Sequence, residues 1–220
     1  MSLVRVQSFS ISLDGFGTGE PQSFESPFGH AGGRLHEWMM ATRWWRRLQG
    51  QPGGTEGVDD AFARQFADGI GVEIMGAGKF GPPGWQQDPD WRGWWGEDPP
   101  FHTPVLVLTR HPRPAIAMDG GTTFHFLDVP PVEALAAARR LAADAGGGPD
   151  VRIGGGPTVV RDFVAAGLVD HLHLVVVPIV LGHGVRLWHE KVEALQDDYD
   201  IESTISAGGV THLTFTRRAG

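Results

Sequence analysis

VRIGGGPTVVRDF, residues 151–163, decides how this chain is read. Val151 and Ile153 are β-branched and apolar, as a buried strand prefers. Three consecutive glycines follow, and then Pro157, which a first helical turn tolerates because its missing N–H has no intrahelical partner there. Val159, Val160, Phe163 and Val164 recur at helical steps as a buried stripe, and Gly167 stops the helix. A strand running through a turn into a helix is the repeating unit of an α/β fold. Glycines at 154–156 let the backbone approach a ligand without Cβ clashes. The helix start, with Gly156, Pro157 and Thr158, offers unpaired N–H groups and a positive dipole end to an anion such as a diphosphate.

The same alternation extends in both directions. Residues 4–13 predict a strand, 32–49 a helix whose buried face holds Leu35, Trp38, Met39, Thr42, Trp45 and Leu48, and 58–66 a shorter helix. GVEIMG (71–76), PVLVLTR (104–110) and TTFHFL (122–127) predict strands, and 132–146 predicts a helix closed by glycine. Residues 172–182 are apolar on both faces, as a central strand would be. Two alternating runs over 198–218, joined at Gly208 and Gly209, predict an antiparallel hairpin. Residues 82–104, rich in Pro, Trp, Asp and Gly and without period, predict a long loop. These elements make a mixed sheet covered by helices in one domain spanning 1–220.

Composition narrows the function. The chain has 220 residues and a formal net charge of −8 without a basic block, which argues against nucleic acid as a partner and for a small molecule. It has no cysteine, so thiolate chemistry is excluded and a reducing, cytoplasmic setting is expected. The N-terminus reads as a strand rather than a signal peptide, and the longest apolar run, 172–181, is far short of the roughly 20 residues of a membrane helix. Ten histidines, among them His171, His173, His183 and His189, show no ligand spacing, so no metal is expected. No G-x-S-x-G elbow is present.

Gly76-Ala77-Gly78-Lys79-Phe80-Gly81 matches G-x-G-x-x-G literally after a strand, but Pro82 and Pro83 would cut short the helix that a Rossmann fingerprint opens. No acidic residue follows where a ribose hydroxyl would need it. The turn could still present backbone N–H groups and Lys79 to a phosphate, or be no more than a tight turn. Thr109 and Arg110, ending another strand, add a hydroxyl and a permanently charged guanidinium. Several strand ends thus converge on one phosphate-rich ligand, in the crevice where open α/β sheets bind cofactors. The tryptophans of 85–95 leave a lid or a packing element open.

Ser12-Leu13-Asp14-Gly15, Met75-Gly76, Thr109-Arg110, Gly154-Gly155 and the run from Asp170 through Leu172, Leu174, Pro178, Leu181-Gly182-His183-Gly184 and Leu187 occur in an order and spacing that is fairly specific. On these residues the chain resembles the dihydrofolate reductase superfamily, and more closely the reductase half of the bifunctional riboflavin-biosynthesis deaminase-reductase and its stand-alone relatives. The resemblance implies a three-layer α/β fold with a mixed, mostly parallel central sheet, an antiparallel C-terminal hairpin and flanking helices. It implies NADPH bound across the strand ends and a homodimer. Gly76, Ala77, Gly78, Lys79 and Phe80 would meet its phosphates, Thr109 and Arg110 the adenosine 2′-phosphate, and Gly154, Gly155, Gly156, Pro157 and Thr158 the diphosphate. Gly15 and Asp14 would lie by the nicotinamide and substrate, with Trp38 on the substrate. Where the family often has Gly-Arg and a Thr in the second-strand turn, this chain has Ala77 and Lys79.

The expected reaction is hydride transfer to a small heterocycle, with 5-amino-6-(5-phosphoribosylamino)uracil the leading substrate. A dihydrofolate reductase activity and a non-catalytic NADP-binding protein are the alternatives. A proton must also arrive, and Asp14 and Glu37 are its candidate carriers.

Overall fold

A computed structural model describes residues 2–188, 192 and 194–219 of the chain; His189 lies outside them. The strands are β1 (Val4–Ser12), β2 (Phe16–Thr18), β3 (Ile70–Gly76), β4 (Pro104–Leu108), β5 (Ile116–Ala117), β6 (Thr123–Leu127), β7 (Asp150–Gly155), β8 (His171–Val177), β9 (Val185–Arg186), β10 (Tyr199–Ile205) and β11 (Thr211–Arg217). The helices are α1 (Glu37–Met40), α2 (Arg43–Leu48), α3 (Val58–Arg64), α4 (Ala77–Phe80), α5 (Pro131–Ala145) and α6 (Pro157–Ala165).

The main sheet runs β10-β11-β8-β1-β7-β3-β4-β6-β5, and β2 pairs separately with β9. The six strands from β8 to β6 are parallel; β11 runs antiparallel to β8 and to the edge strand β10, and the other edge strand, β5, runs antiparallel to β6. Side chains alternate across the strands. Val4, Val6, Val72, Ile74, Leu106, Val151 and Ile153 therefore share one face with α5 and α6. The opposite face carries two further apolar clusters. Val175 and Val177 pack with Leu35, Trp38, Met39 and Ala63, while Met75, Val105, Val107, Phe124 and Phe126 pack with Phe80 and Trp85. Between those clusters the face is polar, and it holds Ser10, His173, Arg152 and Glu73, all buried. The predicted hairpin forms, with Ser206 N–H and Gly209 N–H closing its turn.

Two elements differ from the sequence reading. The helix expected over 32–49 is broken into α1 and α2, because Thr42 leaves the helical region (φ −70°, ψ 156°) and caps α2 by accepting from Trp45 N–H. Its hydroxyl also donates to Met39 O at 2.7 Å, and the break turns Leu48 to solvent. The strand expected over 172–182 stops at Val177; Pro178 follows, and Val180 is exposed.

The 82–104 segment is a packing element for most of its length. Trp85 Nε1 donates to Ala77 O and Trp91 Nε1 to Phe80 O, both at 3.1 Å, which ties the loop to α4. Trp95 stacks on Phe124. Phe24 and Trp94 stack at its outer rim, with Phe24 exposed. No helix among the described residues is long and apolar enough to cross a membrane.

Candidate functional site at the strand carboxyl ends

Three strand-to-helix or strand-to-loop turns converge at one edge of the sheet: β3 into α4, β4 into Thr109-Arg110, and β7 into α6. Between them lies a cavity of about 450 Å³ lined by Ala77, Thr109, Arg110, Asp128, Thr158 and Asp162 among others. Thr109 fixes its turn by donating its N–H to Leu127 O at 2.9 Å and accepting from His111 N–H at 3.1 Å. Arg110 and Thr158 are exposed.

The glycines of the 154–156 turn have different surroundings. Gly155 has φ +105°, where an L side chain is strained, and a Cβ there would stand 3.2 Å from the Phe9 ring. Gly156 is the N-cap of α6, and a Cβ there would meet nothing within 4 Å. The space beside Gly156 is therefore open. Pro157 is buried, in contact range of Gly17 of β2, so it locks the helix start rather than touching a ligand.

Gly154 is glycine for another reason. A Cβ there would fall 2.1 Å from Glu73 Oε1 and 2.7 Å from Lys79 Nζ. That space belongs to a buried ionic cluster. Glu73 Oε1 accepts from Lys79 Nζ at 2.6 Å, and Glu73 Oε2 accepts from Arg152 Nε at 2.8 Å and from Arg152 Nη2. Lys79 Nζ also donates to Gly154 O at 2.8 Å. The Arg152 guanidinium lies over the Phe66 ring and donates to Phe66 O. Burial alone would raise the Glu73 pKa, but the charges of Arg152 and Lys79 hold it below its ordinary value. Burial pulls the Lys79 pKa down; Glu73 opposes that and Arg152 adds to it.

The family can now be assigned. Residues 5–204 match the RibD C-terminal domain. The chain belongs to the RibD C-terminal domain family. It is an oxidoreductase of that reductase family. Similar solved folds include a protein described as a riboflavin biosynthesis protein from Shewanella sp. PV-4, with TM-score 0.57 and 19% identity over 100% of both chains. A pyrimidine reductase-like protein from Corynebacterium diphtheriae matches with TM-score 0.52 and 15% identity, over 100% of this chain and 93% of that one. A diaminohydroxyphosphoribosylaminopyrimidine deaminase/5-amino-6-(5-phosphoribosylamino)uracil reductase from Thermotoga maritima matches with TM-score 0.52 and 14% identity. There the match covers 99% of this chain and 57% of the Thermotoga chain. No curated protein matches the chain.

Within this RibD C-terminal domain, the residues expected at the site divide into three groups. Ala77, Thr109, Arg110 and Thr158 share the cavity, whereas Gly155 and Gly156 do not line it and lie just ahead of it in the chain, at the start of α6. Gly76 ends β3 against α6, where a Cβ would meet Val159 Cγ2 at 2.8 Å, and Gly78 is exposed on α4. A second group has structural work. Phe80, expected on a phosphate, is fully buried against Trp85, Phe124 and Phe126 and cannot reach one. Trp38 is buried with its Nε1 donating to Ser10 Oγ at 2.9 Å. Lys79 is turned into the Glu73 cluster rather than toward the cavity.

Asp14 and Glu37, the expected proton carriers, form the third group. Asp14 Oδ1 accepts from Ser12 Oγ at 2.6 Å and Leu181 N–H at 3.1 Å, and Oδ2 accepts from Gly182 N–H at 2.7 Å. The Ser12 hydroxyl contributes most to lowering its pKa from 3.8 to about 2, so the group is an anion near neutrality. It clamps the turn after β1 to the Leu181-Gly182 loop. Gly15, at φ +84°, completes that turn by accepting from Leu187 N–H. Glu37 is exposed at the start of α1.

Sequence reasoning missed the groups with unmet hydrogen-bonding capacity. Gln7 Oε1, Ser8 Oγ and His36 Nδ1 are buried without a partner, and such atoms in a folded protein mark strain or a ligand. Burial and the Lys79 charge hold the His36 pKa at about 4, so the ring is neutral. His173 and His212 contrast with it. Ser8 N–H donates to His173 Nδ1, His173 Nε2 bonds His212 Nδ1 at 3.0 Å, and His212 Nε2 bonds Asp59 Oδ1 at 2.8 Å. That chain fixes both tautomers, with Phe62 stacked on both rings, whereas no described residue fixes His36. Among the described residues no group of three or more His, Cys, Asp or Glu could hold a metal.

Proposed function

We propose that this protein is an NADPH-dependent reductase that transfers hydride to a small heterocyclic C=N or C=O, with 5-amino-6-(5-phosphoribosylamino)uracil the leading substrate. The observation that carries the reading is the Gly155-Gly156 turn at a helix N-terminus whose next turn, at Thr158, lines a cavity together with Arg110, which is exposed and has no side-chain partner among the described residues. Such a pair suits a molecule with a diphosphate and a further phosphate. The α6 start would hold the diphosphate, Thr158 and Ala77 would flank it, and Arg110 with Thr109 would meet the 2′-phosphate. Asp128 and Asp162 line the same cavity, so Arg110 has to outweigh them for the phosphorylated cofactor to be preferred. The reduced nicotinamide, when bound, supplies the hydride. The protein's part is to orient it against the substrate, exclude water and provide a proton.

The folate alternative needs an acid on the first helix facing the substrate, and Glu37 is exposed. A homodimer belongs to the same proposal: β10 is a sheet edge with Ile201 and Ile205 exposed, and sedimentation equilibrium at twice the chain's 23.8 kDa checks it. The deciding experiment follows tryptophan emission during titration with NADPH and NADH, and then loss of reduced-nicotinamide absorbance with 5-amino-6-(5-phosphoribosylamino)uracil and with dihydrofolate. Saturable quenching by NADPH followed by turnover of the uracil is the expected result. Quenching by neither nucleotide overturns the proposal, and binding without turnover of any substrate favours a non-catalytic binder.

A further inference from the structure

An ammonium carries three protons, and this chain uses two of those on Lys79. One lies on Glu73 Oε1 at 2.6 Å and one on Gly154 O at 2.8 Å; the third has no acceptor among the described residues. The side chain as a whole is 26% exposed. Its position is specific. Gly154 leads directly into the Gly155-Gly156 cradle, the Phe101 ring lies 5.8 Å from Nζ, and His36 is close enough to feel its charge. Lys79 thus stands where the proposed cofactor cradle meets the polar stripe of the other sheet face.

We propose that Lys79 is the proton donor of the reduction. This rests on the reductase reading above and names a residue for its missing step. As hydride adds to the carbon of a C=N or C=O bond, the π pair moves onto the nitrogen or oxygen, and that atom takes the spare proton from Nζ. The substrate gains two electrons, the dihydronicotinamide loses two, and the broken N–H bond leaves its pair on a neutral amine that water reprotonates after product leaves. The cluster is arranged for that change. Glu73 on β3, Arg152 on β7 and His36 ahead of α1 are the titratable groups facing Lys79, and His36 is neutral. Before the transfer the cluster of Lys79, Arg152 and Glu73 holds one net positive charge, and afterwards none. Burial favours the neutral state, and Arg152 still neutralises Glu73. Asp14 and Glu37 lack this combination.

Lys79→Met keeps the stem and leaves Glu73 Oε2 on Arg152 but strips Oε1 of its partner, so the urea midpoint of each variant is measured to separate a folding defect from loss of the proton; Lys79→Arg keeps the charge but holds its proton. Turnover with NADPH and the best substrate, NADPH affinity from tryptophan quenching, and trace acetylation of Lys79 read by peptide mass spectrometry across pH are measured together. The expected result is a kcat lower by a hundredfold or more in both variants, with NADPH affinity within threefold of wild type. Acetylation of the wild-type amine should titrate below the ordinary lysine value, and kcat should fall along the same alkaline limb, which both variants lose. A Lys79→Met kcat within threefold of wild type overturns the proposal. So does a loss of NADPH affinity that accounts for the whole defect, because Lys79 is then a phosphate ligand. A wild type that neither binds nor oxidises NADPH overturns the functional reading and the donor role together.

Discussion

Glu73→Gln removes one negative charge from between two positive ones and is the most demanding test of the cluster under the cradle. The side chain is 1% exposed and accepts from Lys79 and Arg152, whose guanidinium is itself buried. The glutamine amide fits the same space but leaves buried Arg152 and half-buried Lys79 without an anion. Breaking a buried pair from one side costs about 3–5 kcal/mol. Set against a total stability of about 5–15 kcal/mol, that is about a fifth of the molecule's margin or more. Urea unfolding should show a midpoint lower by about 1–3 M with an unchanged slope. The pH dependence has a definite sign. Glu73 has a folded pKa below its ordinary 4.5, so its contribution is complete above the unfolded value and is lost as pH falls through the folded one. The gap between wild type and variant should therefore be full at neutral pH and close in acid. A loss below about 1 kcal/mol at neutral pH, or a gap that does not change with pH, would show that the cluster is solvated and that Lys79 is not organised by it.

The other expectations concern single residues. Gly154→Ala drives a methyl into Glu73 Oε1 and Lys79 Nζ and should destabilise by about 1–3 kcal/mol, read by the same urea assay. Arg110→Ala should leave stability unchanged, because the residue is exposed. It should weaken NADPH roughly tenfold, about 1.4 kcal/mol, with NADH affinity unaltered in a fluorescence titration. Asp14 holds its clamp above the ordinary carboxyl pKa of 3.8 and releases it only as pH falls through about 2. The amide resonance of Gly182 should report that transition, and Asp14→Asn should abolish it.

The architecture was legible where local pattern and tertiary role agree. Residues 71–76 and 104–110 are apolar enough to sit inside a parallel sheet, and the glycines at 208 and 209 do close the hairpin. The break at Thr42 was not legible, because one residue's capping geometry outweighed a helical period that runs straight through it. In the site, the glycine turn at 154–156 announced a strand-to-helix junction, but why each glycine is there depends on distant partners. Gly154 makes room for Glu73 and Lys79, from a strand whose sequence neighbours gave no hint of an ionic cluster. Arg152 lies 79 positions from Glu73, and such a pairing exists only once β7 sits beside β3. The literal glycine fingerprint at 76–81 misled in part for the same reason: Phe80 faces the core and Lys79 faces Glu73. His36 carried no motif at all. Only its burial beside an ammonium sets it apart from nine other histidines.

The most direct measurement is the phosphorus NMR spectrum of NADPH titrated with the protein. A dinucleotide held by the α6 cradle and Arg110 predicts that the diphosphate and 2′-phosphate resonances both shift at one equivalent, and that in Arg110→Ala the 2′-phosphate resonance alone returns toward its free position. Resonances that stay at their free positions in excess protein would contradict an NADPH site at these strand ends.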